Sequence, residues 1–338
     1  MAAYFLTGAT GFVGGVPARQ LREAGHEVTA VVRSPTRATE LEHLGARLAE
    51  GDVTNKESLR APMEGVDGVF HVAGWYRIGV RTVEEIRTAH AVNVEGTRNV
   101  LEVMRELGIP KGVYTSTLAV FSDTRGRLAD ETWRHDGPHL SVYDETKWRA
   151  HYEVAEPMMR GGLPLVIVQP GLVYGPGDTS SLRRTLHQYL RGRLPMVPKG
   201  TAYSWGHVED TVRGHVLAME KGRAGESYVI CGPSHTLVEA FAQAEVVTGV
   251  PAPRIQAPAG VLRALSAAMG AVERVATLPL PETFSAEGLR VVARVTYLGN
   301  SAKARRELGF SARPLDDGLR ETLLQEMRLL GMRRMAPA

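Results

Sequence analysis

An alternation restricts the fold of this chain more than any single residue does. Short β-rich runs at residues 3–7, 27–32, 46–49, 68–73, 112–116 and 165–169 are spaced by helix-length amphipathic segments at 13–24, 36–44, 83–107 and 142–160. A strand, a crossover helix and a second parallel strand bury one another's apolar faces. The repeat therefore predicts an α/β fold, a doubly wound parallel sheet of six or seven strands. After Gly171 the spacing loosens: Pro and Gly gather at Gly175-Pro176-Gly177, Leu194-Pro195 and Val197-Pro198, and runs such as 227–231 stand between longer loops.

Composition narrows the class. With 43% hydrophobic residues, 338 residues can bury a substantial core. The 40 Lys and Arg against 37 Asp and Glu leave a charge of +3, and the cations are scattered, which argues against a nucleic-acid partner. The single Cys231 has no partner for an internal disulfide, so a buried thiol and a cytoplasmic location are expected. The early apolar residues form a strand-length run rather than a leader. The most membrane-like stretch, 258–281, is interrupted by Arg263, Glu273 and Arg274, so no membrane partner is expected either.

Directly behind the first β-rich run lies Thr7-Gly8-Ala9-Thr10-Gly11-Phe12-Val13-Gly14, opening a helical segment. In that setting each glycine has a use. Gly8 lets the chain turn sharply, Gly11 lets backbone N–H groups approach a pyrophosphate, and Gly14 lets helix and sheet pack closely. The helix N-terminus adds the positive end of its dipole. The same glycines would also serve a tight turn with no ligand. Residues 1–171 are accordingly read as mainly the NADP-binding region, and 172–338 as a smaller, mainly substrate-binding region with elements returning to the sheet.

The second strand bears on the cofactor. Chains that bind NAD usually end this strand with an acid for the ribose 2′-hydroxyl. Here it reads Val32-Arg33-Ser34-Pro35-Thr36-Arg37, without one. Arg33 and Arg37 suit a 2′-phosphate, so NADP(H) is preferred and NAD(H) remains possible. Beyond the third strand, Asp52 and Val53 are placed for the adenine edge; Asp52 accepts from the adenine amino group or caps the helix expected near Asn55.

Tyr143 and Lys147 are four apart, which on a helix puts both on one face. To exchange a proton near neutral pH, a tyrosine must lose about 3 units of pKa, roughly 4 kcal/mol. An ammonium about 4 Å away supplies that order of energy at an effective dielectric of about 20. Tyr114-Thr115-Ser116-Thr117 closes the fifth β-rich run, at the sheet end where ligands of such folds bind. Thr117 is the choice to hold the substrate oxygen, with Ser116 nearer the nicotinamide; local backbone capping is the ordinary alternative.

The ordered set TGATGFVGG, GDV, HVAG, NVEGTRNV, TSTLAV, YDETK and QPGLVYGPGD resembles the motifs of the extended short-chain dehydrogenase/reductases, the NAD-dependent epimerase/dehydratase superfamily. The Arg-ending second strand and the run 301–310 resemble its dihydroflavonol-4-reductase-like branch. The resemblance implies a Rossmann-type fold and a Thr117, Tyr143, Lys147 triad, with Lys147 also on the nicotinamide ribose. It implies Ala73 and Gly74 over the adenosine ribose, Asn93 supporting the active-site region, and Pro170, Gly171, Leu172 and Val173 against the carboxamide. His207 matches a motif that supports the fold rather than the chemistry. Leu118-Ala119 stands where sugar-nucleotide dehydratases carry Asp-Glu, which disfavours dehydration. A homodimer through the 83–107 and 142–160 helices is implied by resemblance alone.

The leading functional expectation is an NADP-dependent reduction of a ketone or aldehyde, with Tyr143 as general acid/base. The alternatives are a sugar-nucleotide epimerase with retained cofactor and a non-catalytic NADP-binding sensor. The substrate pocket is expected from the Val80 region, the loop after Gly177 and residues 203–207, with Trp75, Tyr76, Tyr203 and Trp205 as aromatic walls or as core.

Overall fold

The computed structural model describes residues 1–274 and 281–332. Its main sheet takes β1 (Ala3–Thr7), β2 (Glu27–Val32), β3 (Arg47–Glu50), β4 (Gly68–His71), β5 (Gly112–Thr115) and β6 (Leu165–Pro170) from the first half of the chain. Three further strands, β7 (Leu172–Tyr174), β8 (Met196–Pro198) and β9 (Ala202–His207), precede β10 (Ser227–Ile230), which returns to the main sheet beside β6. The order is β10-β6-β5-β4-β1-β2-β3, parallel throughout. Seven strands thus form the expected Rossmann-type sheet.

Neighbouring residues of each strand face opposite sides of this sheet. Leu6, Phe70, Val113 and Val166 pack with Ala18 and Leu21 of α1 (Phe12–Glu23) in one apolar layer. Phe5, Val69, Tyr114, Leu165 and Ile167 pack on the other side, with Val100, Leu101 and Met104. Both faces being covered explains why the strands read as near-continuous apolar runs.

The other helices that bear on the site depart from the simplest reading. The expected helix 36–44 is a 3-10 turn, Pro35–Arg37, followed by the short α2 (Thr39–His43), because the backbone leaves helical angles at Ala38. After α3 (Glu57–Met63), the expected helix 83–107 is α4 (Val83–His90), a π-helical turn Ala91–Glu95 and α5 (Gly96–Glu106). The expected helix 142–160 is likewise α6 (Val142–Arg149), a π turn Ala150–Ala155 and a last segment Glu156–Arg160. Such turns insert a residue and rotate the helix downstream of them. A helical period is too coarse to reveal them.

The second half builds a smaller sheet in which β9 pairs with β7, β11 (Ser234–Thr236) and β13 (Thr296–Tyr297), while β12 (Ile255–Ala257) pairs with β8. Within the 258–281 stretch a helix spans Ala259–Glu273, and residues 275–280 lie outside the described residues, as do 333–338. No described helix is long and apolar enough to cross a membrane. Cys231 is a buried free thiol, as expected.

Because β1 lies between β2 and β4, the connections on its two sides diverge and open a crevice at the carboxyl ends of the strands. Its floor depends on two glycines. Gly8 has φ +77°, and a Cβ there would meet the Ala73 nitrogen at 2.7 Å. A Cβ on Gly14 would stand 2.1 Å from the Gly8 carbonyl oxygen. Helix α1 can approach β1 this closely only without a side chain. Gly14→Ala is expected to lower unfolding stability by about 3 kcal/mol, read by chemical denaturation; an unchanged midpoint would refute this packing requirement.

Candidate active site

A cleft of about 860 Å³ runs along the carboxyl edge of the main sheet. One end is lined by Gly8, Gly11, Phe12, Val13 and Gly14, by Arg33 after β2, by Asp52 and Val53 after β3, and by Ala73 and Gly74 after β4. The other end is lined by Ser116, Thr117, Tyr143 and Lys147, and by Pro170, Gly171, Leu172 and Val173. One cavity therefore unites most of the residues selected from sequence. Gly11 offers no side-chain cap to α1, so the first-turn N–H groups remain available to an anion. This turn fits a dinucleotide pyrophosphate.

Four residues fall outside the cleft lining. Thr7 is fully buried and acts on the turn from behind: its hydroxyl oxygen accepts from the Val72 and Ala73 backbone nitrogens, each at 3.1 Å. Asn93 is also buried; it accepts from the Trp75 nitrogen at 2.7 Å and donates to the Trp75 carbonyl and the Thr146 hydroxyl. Both position the site rather than line it. Arg37 sits exposed at the end of the 3-10 turn and does not line the crevice, whereas Arg33 is exposed at its rim. Trp205 is buried in the second apolar core, packed against Tyr174 and donating its indole N–H to the His235 carbonyl. It is core, and not an aromatic wall.

Asp52 lines the cleft and also caps locally: its Oδ1 accepts from the Thr54 nitrogen and hydroxyl, both at 2.8 Å, so the helix after it begins at Glu57 rather than Asn55. His207 caps the helix Val208–Lys221 by accepting from the Glu209 nitrogen, a structural use as expected. The pocket wall comes from Trp75, Tyr76 and Ile78 rather than Val80, from residues 179–182, and from Tyr203. Val80 instead donates its backbone N–H to buried Glu287.

Helix α6 starts at Ser141, whose hydroxyl oxygen accepts from the Asp144 nitrogen, and it turns Tyr143 and Lys147 into the cleft. Lys147 is 4% exposed; its Nζ donates to the Thr115 carbonyl at 2.8 Å and the Tyr114 hydroxyl at 3.2 Å. Burial pulls this ammonium down to about 7. Burial also pushes the Tyr143 phenol up, against a hydrogen bond with Thr117 that pulls it down. The phenol is thus held in its protonated form, opposite in direction to the lowering expected of a neighbouring ammonium, and burial is the first cause. Tyr76 closes on Tyr143 edge to face at 4.8 Å.

Several participants were missed in sequence. His71, His151 and His215 are buried and held neutral, at about 3, 3 and 4, by desolvation first. His151 hydrogen-bonds Ser116 at 2.7 Å. His215 donates Nδ1–H to the Thr211 carbonyl, leaving Nε2 to accept from Thr115. Tyr297 and Asp144 also line the cleft, and Tyr297 stacks on Tyr203 with ring centroids 5.9 Å apart. Asp144 was visible beside Tyr143, but helix spacing gave no reason to single it out.

A model of the NAD dependent epimerase/dehydratase family matches residues 4–231. The chain belongs to this family. A Synechocystis protein named after dihydroflavonol 4-reductase is 30% identical over 330 residues, covering 95% of this chain and 93% of the relative. A Stigmatella aurantiaca ketoreductase named for 4-hydroxy-2-methyl-3-oxo-4-farnesyl-3,4-dihydroquinoline-1-oxide is 31% identical over 317 residues, covering 91% and 92%. The crystal structure of gox2253 superposes with a TM-score of 0.85 at 30% identity, over 98% of this chain and all of that one. These relatives agree with the dihydroflavonol-4-reductase-like branch.

Lys147 yields a stability prediction whose sign follows from its depressed pKa. Between pH 7 and 10.5 the unfolded chain binds a proton at this lysine that the folded protein releases, so its contribution to stability rises with pH across that window. Below pH 7 the full cost of burying the charge applies. Lys147→Met should therefore exceed the wild type by about 2 kcal/mol at pH 6, after allowing for the lost hydrogen bonds. The gap should shrink toward pH 10; a pH-independent gap in denaturation midpoints would contradict this.

Proposed function

We propose that this oxidoreductase-family chain reduces a ketone or aldehyde with NADPH. The observation that carries the reading is the cleft itself: a phosphate-binding turn with Arg33 at one end, and Thr117, Tyr143 and Lys147 at the other. A bound nicotinamide would supply the hydride to the carbonyl carbon. Tyr143 donates the proton from its phenol oxygen to the carbonyl oxygen, and Thr117 steadies that oxygen. Burial holds Tyr143 protonated, which suits an acid in the reductive direction. Lys147, fixed by the Thr115 carbonyl, stabilises the phenolate left behind until solvent reprotonates it.

Cofactor choice rests on Arg33. It stands at the crevice rim with Val31 and Val32, in the place where an acid would favour NAD. The reductase names of relatives support a carbonyl substrate. A sugar-nucleotide epimerase would employ the same triad, but its diphosphate needs free cations. Here the lining residues Arg77 and Arg184 both donate to Glu282, at 3.0 and 2.9 Å. That pairing favours a substrate without a diphosphate. Retention of Tyr143 and Lys147 disfavours a non-catalytic sensor.

Two variants test the reading. Tyr143→Phe should lower kcat/KM by about 100-fold across a ketone panel followed by NADPH absorbance, with the melting transition retained. Wild-type rates would remove the tyrosine from the mechanism. Arg33→Ala should raise the KM for NADPH by about tenfold and leave that for NADH nearly unaltered; equal effects on both cofactors would retract the NADP assignment.

A further inference from the structure

The substrate end of the cleft contains a polar pair outside the triad. Asp144 is only 2% exposed yet lines the cavity, and its Oδ1 accepts from the Ser141 hydroxyl at 2.8 Å. Its Oδ2 accepts from the Tyr297 hydroxyl at 2.9 Å. A carboxylate offers about four acceptor positions, and among the described residues each oxygen is met by a single side-chain donor. Tyr297 spends its only proton on Asp144, so its own oxygen can still accept. The buried carboxylate and the half-buried phenol therefore present further lone pairs to a cavity whose wall also includes Tyr76, Tyr143 and Tyr203.

We propose that Asp144 and Tyr297 form a second substrate anchor that selects carbonyl compounds bearing a hydroxyl near the reacting carbonyl. The inference rests on the reductase reading. It follows from what the pair lacks: both groups present lone pairs, and a substrate hydroxyl is the small neutral donor that satisfies them. An anionic group is repelled by the Asp144 carboxylate, and a purely apolar ring gains no hydrogen bond from the lone pairs that Ser141 and Tyr297 leave open. Burial, reinforced by Glu287, raises Asp144 to about 7, so near neutrality the carboxyl exists in both forms. Each form retains acceptor capacity for a hydroxyl. The neighbouring stack of Tyr203 on Tyr297 fixes the phenol's direction.

Hydrogen-bonding sites of this kind reject analogues that lack the hydroxyl more strongly than apolar pockets reject a missing methylene. The test uses two matched pairs, benzoin with deoxybenzoin and acetoin with butanone. Each pair differs by one hydroxyl beside the carbonyl. In at least one pair the wild type should prefer the hydroxylated ketone by about tenfold or more in kcat/KM, chiefly through KM. Asp144→Asn and Tyr297→Phe should each lower turnover of that ketone at least five times more than turnover of its partner, collapsing the preference. Tyr297→Phe keeps the ring stack and serves alone if Asp144→Asn does not fold. Calorimetric binding of the same ketones to the NADP⁺-loaded protein provides a readout without turnover. Absence of any wild-type preference in both measurements, or parallel losses within each pair, would overturn the anchor. A binding preference without NADPH oxidation would keep the anchor and retract the reductase reading. NADPH oxidation without a preference would do the reverse.

Discussion

A buried chain of hydrogen bonds joins the glycine turn to α6, the helix that carries Tyr143 and Lys147, and the geometry of the whole cleft depends on it. Its directions follow from donor counting. Thr97 donates its hydroxyl proton to the Asn93 carbonyl, so it accepts from Nε2–H of His71 at 3.0 Å. His71 then accepts at Nδ1 from Thr7, 2.8 Å away, which leaves the Thr7 oxygen to receive the Val72 and Ala73 nitrogens. Asn93 continues the chain to Thr146, one turn of helix from Tyr143. One neutral tautomer of His71 satisfies every link, and desolvation keeps the ring neutral. Removing any member would strand a buried polar atom, a cost of about 1–3 kcal/mol.

This chain explains why the two ends of the cleft hold their spacing although they come from distant parts of the sequence. The glycine turn follows β1, and Tyr143 and Lys147 sit on α6. Each is tied to the strand-four segment, the first through Thr7 and the second through Asn93 and Trp75. The π turn Ala91–Glu95 contains Asn93, and the π turn after α6 contains His151, which holds Ser116. Both irregularities fall where a buried polar side chain must face the site. Regular helices would have placed those residues at a different angle.

How far the sequence revealed this can be judged from particular elements. The seven-stranded sheet was legible because strands covered on both faces read as apolar runs and helices as amphipathic ones. The glycine turn was legible because steric demand at Gly8 and Gly14 excludes every side chain. Tyr143 and Lys147 were legible from their spacing only together with the hydroxyl run at 114–117 and the ordered motifs, since a Tyr and a Lys four apart are common on ordinary helices. His71, Asp144 and Tyr297 were not, because their roles arise from partners 26 to 153 positions away, brought close only by the fold. Trp205 stayed ambiguous between wall and core for a related reason: an aromatic residue near a cleft and one in a core look alike in sequence. The lowered ammonium of Lys147 was also hidden, since the fold alone sets how deeply it is buried.

The central claim is transfer of hydride from NADPH to a carbonyl carbon in this cleft. Tracing deuterium from NADPH labelled at the nicotinamide C4 position tests it most directly, with product analysed by mass spectrometry after incubation with the ketone panel. The account predicts an alcohol carrying one deuterium on the former carbonyl carbon, matched by an equal amount of NADP⁺. Label retained in the cofactor, with no net NADPH consumed, would contradict it.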